Sequence, residues 1–222
     1  MIRVATFMDK EQGYYPVLKE RLLKWPVKFD TIHMEKFSWR RLVEAEIQYA
    51  RDHKDDYIIF VDAWDMIPQL IYKENLEWIQ TKPLLYHSEK ICWPQPHKAD
   101  AYTTKIGDGR FRFVNGTGPA GKGAKIEEAL SYAMRYAPIV GDESSVFADN
   151  DQRLLTDAFL AGYGEIDTGL RLSVQLNAME EHDFIINDER VLVVKETDSI
   201  PLFVHMNGSA KYRYSDIIKP ML

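Results

Sequence analysis

Residues 57–61 form an uninterrupted apolar run, and this run narrows the choice of folds more than any other part of the chain. A run this short, with no strongly polar residue, suits the centre of a parallel sheet whose two faces are covered by helices. It follows strand-like residues 2–8 and 27–33 and helix-like residues 14–24 and 40–53. The order β-α-β-α-β implies right-handed crossovers and a nucleotide site at the carboxyl ends of the strands. The sequence therefore predicts an α/β fold.

The second half of the chain has a more mixed pattern. Strands are predicted at 83–87, 110–115, 164–167, 191–194 and 202–205, and helices at 125–137 and 152–161. Residues 92–109, with two prolines and several charges, are predicted to form a mobile or acceptor-facing loop. There is no internal repeat or low-complexity linker, and 222 residues suit one α/β domain. We therefore expect residues 1–222 to form a single domain.

Charge and cysteine content argue against several classes of protein. The net charge of −6 provides no basic field for a polyanion, which disfavours nucleic-acid binding. The single cysteine, Cys92, cannot form an intrachain disulfide, and this points to a reducing compartment. Residues 1–8 lack the apolar core of a secretory signal, and no stretch approaches the roughly 18 apolar residues of a membrane span. We expect a cytoplasmic protein with no membrane partner.

Two carboxylates, Asp62 and Asp65, leave the end of the predicted central strand. The chain turns at this point, so both side chains can converge on one cation. Mg²⁺ and Mn²⁺ prefer oxygen ligands, and phosphate oxygens can fill their remaining positions. The alternative is that Asp62 caps the following turn and Asp65 is solvated. The position directly after a buried strand favours the metal site.

A second group of polar residues, which includes His205, Gly208 and Lys211, also follows a short apolar strand. A neutral imidazole is an acceptable third ligand for Mn²⁺. Gly208 permits close approach of the backbone, and Lys211 can neutralise a diphosphate. The alternative is a buried histidine beside an ordinary turn.

Two further segments have two interpretations each. Asp149 and Asp151 open a predicted helix, where acidic residues either cap the helix or bind and deprotonate an acceptor hydroxyl. Residues 113–123, which include Asn115, are rich in glycine but lack the spacing of a P-loop or a dinucleotide fingerprint. They are interpreted as a tight loop near a sugar or as a plain turn.

Taken together, these segments resemble the glycosyltransferase domain of the procollagen lysyl hydroxylase family and its stand-alone relatives. The resemblance covers most of the chain from Tyr57 to Lys211, with the segments in the same order. The matching segments are 60–65, 88–94, 112–118, 151–152, 166–167, 175–177 and 205–208. The resemblance implies the GT-A fold, a Rossmann-like mixed sheet flanked by helices.

The resemblance also implies a ligand set. Asp62, Asp65 and His205 would bind Mn²⁺ (or Mg²⁺), which bridges the diphosphate of a UDP-sugar. The spacing of His205, Gly208 and Lys211 is similar to that of glycogenin-like transferases, in which the lysine contacts the diphosphate. The implied lining of the sugar and acceptor side is Trp93, Asn115, Asp151 and Asn207. We expect the uracil over the first strands, near Thr6 and Phe7, where an aromatic ring can stack.

The chain departs from the family pattern at two places. In these families a lysine usually lies in the helix that precedes the strand leading to the metal ligands, and this lysine contacts the donor. Arg40 or Arg41 occupies this region here and is the expected basic contact. Asn150 stands where the hydroxylase-like pattern has another acid, so the important carboxylate is Asp149 or Asp151.

The predicted activity is transfer of a hexose (or pentose) from a UDP-sugar to a hydroxyl acceptor. The metal and Lys211 would stabilise the departing UDP, and Asp151 would position or deprotonate the acceptor hydroxyl. Three alternatives stay open: a nucleotidyltransferase or metal-dependent phosphohydrolase, a nucleotide-sugar-binding protein without turnover, and a transferase acting on hydroxylated DNA bases. The basic, aromatic residues 211–214 favour the last, whereas the net charge opposes it.

Overall fold

The computed structural model describes residues 1–69, 73–140, 150–214 and 218–221. Along the chain the strands are β1 (Ile2–Met8), β2 (Lys28–His33), β3 (Tyr57–Phe60), β4 (Met66–Pro68), β5 (Leu84–Glu89), β6 (Phe113–Lys122), β7 (Glu165–Ile166), β8 (Ser173–Gln175), β9 (Phe184–Ile186), β10 (Leu192–Val194) and β11 (Phe203–His205). The helices are α1 (Tyr15–Leu22), α2 (Trp39–Asp52), α3 (Lys73–Gln80), α4 (Ala99–Ile106), α5 (Gly123–Val140), α6 (Asp151–Leu160) and α7 (Ala210–Arg213).

A six-stranded mixed sheet forms the centre of the fold, in the order β2-β1-β3-β6-β5-β7. β1 is parallel to β2 and β3, as the alternation of the first half predicts. β6 enters antiparallel between β3 and β5, and β7 is parallel to β5. The predicted α/β fold with a mixed, Rossmann-like sheet flanked by helices is confirmed.

Apolar clusters cover both faces of the central sheet. Successive residues of a strand point to opposite faces, so Ile58 and Phe60 join one cluster and Ile59 joins the other. The first cluster includes residues of α2, α5 and α6, and the second includes residues of α1 and α3. Burying one such side chain contributes about 1.5–3 kcal/mol to stability. The uninterrupted apolar run of residues 57–61 follows from this two-sided burial.

A second sheet consists of three short strands in the order β4-β11-β8. Its strand β4 is the next element after β3 in the sequence. β11 pairs antiparallel with β4, which places His205 opposite Met66. It also pairs in parallel with β8, which places His205 opposite Gln175. The residue before Met66 is Asp65, so this pairing brings His205 to the acidic segment.

Two predictions for the middle of the chain are wrong. Residues 113–123 form neither a tight loop nor a plain turn, since residues 113–122 are the strand β6, which extends well beyond the predicted strand at 110–115. Glycine is needed there: a Cβ at Gly121 would lie 2.6 Å from the backbone oxygen of Pro83 on the approach to the neighbouring strand. The expected loop at 92–109 contains a 3₁₀ turn at Pro96–Lys98 and α4.

Within the part of the chain that is described, none of the helices has both the length and the apolar character needed to cross a bilayer.

Candidate active site

Asp62, Asp65 and His205 converge where β3 ends beside the second sheet. The Nε2 atom of His205 lies 3.1 Å from Oδ2 of Asp62 and 3.2 Å from Oδ1 of Asp65. One ligand atom from each residue falls within 4.8 Å of the others. His205 is buried, whereas Asp62 and Asp65 are partly exposed. The group therefore opens to solvent on its acidic side.

The electrostatics of this group favour a cation. Burial lowers the pKa of His205, but the charges and hydrogen bonds of Asp65 and Asp62 raise it to about 10. Burial raises the pKa of Asp65, and the charge of His205 reverses this, so that it falls below its usual value. The two carboxylates thus hold a proton on the imidazole, and a divalent cation can take the place of that proton. Two carboxylate oxygens and one imidazole nitrogen are a donor set that suits Mn²⁺ or Mg²⁺.

Gln175 fixes which nitrogen of His205 faces the carboxylates. Its amide nitrogen donates to Oγ of Ser173 at 2.7 Å, so its carbonyl oxygen faces Nδ1 of His205 at 2.5 Å. An amide oxygen only accepts hydrogen bonds, and Nδ1 must therefore carry a hydrogen. Oγ1 of Thr117 also contacts Nδ1, at 3.0 Å. In the neutral imidazole, this arrangement leaves the lone pair of Nε2 pointing at Asp62 and Asp65.

We expect replacement of Gln175 by leucine to weaken Mn²⁺ binding. The change removes the acceptor that holds the Nδ1–H form of His205, and loss of such an outer partner costs about 10- to 100-fold in metal affinity. Isothermal titration with MnCl₂ measures the effect, with Gln48→Leu on the exposed face of α2 as the control. Equal Mn²⁺ affinity of the Gln175→Leu variant and the wild type would show that Gln175 has no such role.

A cavity of about 400 Å³ opens beside the acidic group. Its lining is Trp39, Asp62, Asp65, Glu89, Ile91, Trp93, Asn115, Gly116, Asn150, Asp151, Gln152, Asn177, His205, Asn207 and Gly208. Eight of these residues, from segments scattered between residues 62 and 208, are among those that the sequence predicts for the site. We call this space the large cavity.

Buried amides hold one wall of the large cavity. The amide nitrogen of Asn115 donates to Oε2 of Glu89 at 2.9 Å, and its oxygen accepts from Oγ1 of Thr117 at 2.6 Å. The amide nitrogen of Gln152 lies 2.6 Å from the backbone oxygen of Trp93 and 2.8 Å from that of Val114. These contacts order the wall, while the Trp93 side chain stays half exposed at the rim.

Asp151 is a buried carboxyl at the start of α6, and it faces the large cavity. Its Oδ1 accepts a hydrogen bond from the backbone N–H of Gln152 at 2.8 Å. Burial, and then the charge of Asp62, raise the pKa of Asp151 to about 8. A carboxyl with this pKa can donate or accept a proton near neutral pH.

A second, smaller cavity of about 150 Å³ adjoins the first, and we call it the aromatic cavity. The two share Trp39, Asp62, Asp65 and Gly116 in their linings. The rings of Phe37, Trp39 and Trp64 border the aromatic cavity. Phe37 lies 5.0 Å from Trp39 and 6.3 Å from Trp64 between ring centroids. Flat ligands pack well against such rings.

Thr6 and Phe7, which are expected near the uracil, have different surroundings in the structure. Thr6 is fully buried and donates to the backbone oxygen of Val61, so its hydroxyl is engaged within the sheet. Phe7 lines the aromatic cavity but is mostly buried, with its ring packed against Phe60. The rings that are accessible for stacking are therefore those of Phe37, Trp39 and Trp64, which sequence reasoning missed.

The basic residues expected to contact the donor differ in their position relative to the acidic group. Arg40 and Arg41 are exposed, Arg40 pairs with Glu44, and neither arginine lines either cavity. Lys211 is also exposed, yet its charge helps to lower the pKa of Asp65, which places it within electrostatic reach of the acidic group. Asp149 lies outside the described residues.

Comparison with known proteins connects this geometry to a family. Residues 40–218 match the model of the PLOD GT domain. Human multifunctional procollagen lysine hydroxylase and glycosyltransferase LH3 is 28% identical over 189 residues, which cover 77% of this chain and 23% of the human protein. Procollagen-lysine,2-oxoglutarate 5-dioxygenase of Drosophila melanogaster is 27% identical over 187 residues, which cover 79% of this chain and 24% of the fly protein. The chain thus spans about a quarter of the length of these relatives.

A solved structure shares the fold. The crystal structure of a glycosyltransferase involved in the glycosylation of the major capsid of PBCV-1 superimposes with a TM-score of 0.56. The match covers 97% of this chain and 98% of that one, with 13% sequence identity. At this identity the similarity concerns the fold, which is a GT-A-like mixed sheet flanked by helices.

Proposed function

The chain belongs to the PLOD GT domain family, and from this premise we propose that it is a metal-dependent glycosyltransferase. It would transfer a hexose (or pentose) from a UDP-sugar to a hydroxyl acceptor, with residues 1–222 acting as one transferase domain. The observation that carries the proposal is the convergence of Asp62, Asp65 and His205 between two adjoining cavities. One cavity has the rings for a base, and the other has the carboxyls and amides for a sugar and its acceptor.

Asp62, Asp65 and His205 would hold Mn²⁺ or Mg²⁺, and the bound cation would neutralise the negative charge of the diphosphate. Lys211 would contribute further positive charge on the solvent side. Leaving-group stabilisation of this kind is the main electrostatic task in glycosyl transfer.

The aromatic cavity would receive the uracil. A pyrimidine ring can stack on Trp64, which follows β3 between Asp62 and Asp65, and Trp39 faces both cavities. The indole nitrogen of Trp64 donates to the backbone oxygen of Lys10 at 3.0 Å, so this ring is already oriented before the ligand binds. Preorganised rings lower the entropy cost of binding. Stacking would therefore involve Trp39 and Trp64 more than Phe7.

Asp151 would act on the acceptor. It would position the attacking hydroxyl and take its proton, and Trp93 at the rim of the large cavity would offer an apolar face to the acceptor. Asn115 and Asn207 would provide hydrogen bonds to the sugar from the same wall. Holding donor and acceptor together supplies the orientation that a two-substrate reaction requires.

A thermal-shift screen of UDP-, GDP- and TDP-sugars with and without MnCl₂ tests this function. We expect stabilisation that requires both Mn²⁺ and a UDP-sugar, since a ligand at 100 times its Kd stabilises the folded state by about 2.7 kcal/mol. Measuring UDP release then separates a transferase from a protein that binds the donor without turnover. Release of pyrophosphate or inorganic phosphate in place of UDP, or the absence of any stabilisation, would contradict the proposal.

A further inference from the structure

A buried row of hydrogen bonds continues from Gln175 to two side chains that line neither cavity, those of Ser173 and His87. Oγ of Ser173, which accepts a hydrogen bond from the amide of Gln175, lies 2.5 Å from Nδ1 of His87. Both side chains have no exposure to solvent. Ser173 begins β8 in the second sheet, and His87 lies on β5 in the central sheet, so the row of hydrogen bonds joins the two sheets.

His87 is an uncharged ring at the far end of this row. Burial lowers its pKa to about 3, and the charge of His205 contributes to the fall. A neutral imidazole carries one hydrogen, on either Nδ1 or Nε2. If the hydrogen were on Nδ1, this N–H and the amide N–H of Gln175 would both point at Oγ of Ser173. The hydroxyl hydrogen of Ser173 would then have no acceptor among the described residues.

A hydrogen on Nε2 instead gives each bond of the row a donor and an acceptor. Oγ of Ser173 then accepts from Gln175 and donates to Nδ1 of His87. Nε2 forms no hydrogen bond of normal geometry among the described residues, but the backbone of Phe60 still acts on the ring as an acceptor that raises its pKa. The row therefore runs in one direction, from the Nδ1–H of His205 to the acceptor nitrogen of His87.

The direction of the row matters because the two ends of an amide group have nearly the same shape. If the hydroxyl of Ser173 donated to Gln175, the amide would turn over and point its N–H at Nδ1 of His205. His205 would then carry its hydrogen on Nε2, which is the atom that faces the carboxylates and would bind the cation. An acceptor on the other side of Ser173 prevents this, because a hydroxyl group has a single hydrogen to donate.

We propose that His87 and Ser173 are positioning residues for the metal site and that they act through the amide of Gln175. His87 takes the hydroxyl hydrogen of Ser173, and Ser173 in turn takes an amide hydrogen. The amide oxygen is thereby left for the Nδ1–H of His205, and the lone pair of Nε2 stays directed at the two carboxylates. The inference rests on the proposed function, because it takes His205 as a ligand of the cation.

Isothermal titration of the full chain with MnCl₂ tests the role of the two residues. The variants are Ser173→Ala, His87→Leu, His87→Asn, Gln175→Leu and the double variant Ser173→Ala/Gln175→Leu. The side-chain oxygen of asparagine can stand in the place of Nδ1 and accept the same hydrogen bond, whereas leucine cannot. Ser88→Ala is the matched control, because Ser88 is also buried, its hydroxyl has no partner among the described residues, and it lines neither cavity.

We expect Ser173→Ala and His87→Leu to bind Mn²⁺ about 3- to 10-fold more weakly than the wild type, as the loss of one net hydrogen bond predicts. The loss should be smaller than in Gln175→Leu, because both variants keep the amide. His87→Asn and Ser88→Ala should bind Mn²⁺ like the wild type. In the double variant, the loss of Ser173 should add nothing to the loss caused by Gln175→Leu, since both changes act through the same amide.

NMR spectra of the ¹⁵N-labelled histidine rings test the row without any metal. At neutral pH, the ring of His87 should be uncharged with its hydrogen on Nε2, and its signals are identified by their absence in His87→Asn. A hydrogen on Nδ1 would reverse the last bond of the row and overturn the inference.

Three titration results would also overturn it. Unchanged Mn²⁺ affinity in Ser173→Ala and His87→Leu would remove both residues from the metal site. Losses that add up in the double variant, or a loss in His87→Asn as large as that in His87→Leu, would assign the effect to packing. In each case the wild type still binds Mn²⁺ and the proposed function stands, whereas a wild type that binds no Mn²⁺ would overturn the proposed function and the positioning role together. Should His87→Leu not fold, Ser173→Ala measures the same loss.

Discussion

Replacing Asp65 by asparagine is expected to abolish metal-dependent binding of UDP and any transfer activity. Asparagine keeps the shape of the side chain but removes the charge that lies 3.2 Å from Nε2 of His205. Losing a mere outer partner costs about 10- to 100-fold in metal affinity, and losing a charged ligand should exceed that range. Titration with MnCl₂, and with UDP in the presence of Mn²⁺, measures the loss.

The matched control is Asp100→Asn on α4, an exposed acid that forms no side-chain hydrogen bond or ion pair among the described residues. It should bind Mn²⁺ and UDP like the wild type. Asp62→Asn should behave like Asp65→Asn, because Asp62 contacts the same nitrogen at 3.1 Å. Mn²⁺-dependent UDP binding that survives in both variants would mean that the cation, if it binds, is held elsewhere.

Asp62 and Asp65 could be singled out from the sequence because their signals are local. Asp62 and Asp65 directly follow a strand that is buried on both faces, and such a strand is recognisable from five consecutive apolar residues. His205 is the last residue of the short strand β11. The pairing of β4 with β11 could not be derived from these local signals. It brings Asp65 to His205, although the two residues are 140 positions apart in the sequence.

The contact by which Gln175 orients His205 could not be predicted from the sequence. It ends β8, a strand of three residues that is too short to show a period. Its importance comes from pairing with β11, which places it opposite His205. The sequence marked Gln175 as part of a family segment but provided no physical reason for it.

The charged side chain of α2 that lines the aromatic cavity is Glu46, and not Arg40 or Arg41 as expected. The two arginines are expected to contact the donor because they lie at the start of α2, the helix that precedes β3. The buried face of the helix holds Leu42, Val43 and Glu46, at spacings of three and four residues. Helical periodicity therefore places Glu46 on the inward face of α2 and leaves Arg40 and Arg41 exposed.

Glycines misled the interpretation of β6. A run with several glycines is usually a turn, but here Gly116 and Gly118 lie within a ten-residue strand. Gly118 has a φ of +90°, and a Cβ there would lie 2.9 Å from Cβ of Phe60 and 2.9 Å from Oε1 of Glu46. A Cβ at Gly116 would press on Oδ1 of Asp151 at 3.1 Å. This packing is tertiary, and no local pattern encodes it.

Asp151→Asn should separate catalysis from binding. If Asp151 positions and deprotonates the acceptor hydroxyl, the variant should lose about 10²- to 10⁴-fold in kcat, the usual range for a general base. Mn²⁺ and UDP should bind as they do to the wild type, because the metal ligands and the aromatic cavity are unchanged. Asp157→Asn, on the same helix and partly exposed, is the control, since its ion pair with Lys98 lies away from the cavities.

The same variant distinguishes a catalytic carboxyl from a helix cap by its stability. The pKa of Asp151 is raised to about 8, so its contribution to folding falls as pH rises from its unfolded value near 4 through 8. Asparagine cannot ionise, and thermal unfolding at pH 9 should show Asp151→Asn to be at least as stable as the wild type. A carboxylate that only complemented the dipole at the helix start would instead stabilise the fold when ionised, and its replacement by asparagine would cost about 0.3–1 kcal/mol at pH 9. Lower stability at pH 9 together with unchanged kcat would assign Asp151 to the helix end, whereas a stable, inactive variant that still binds UDP would assign it to the reaction.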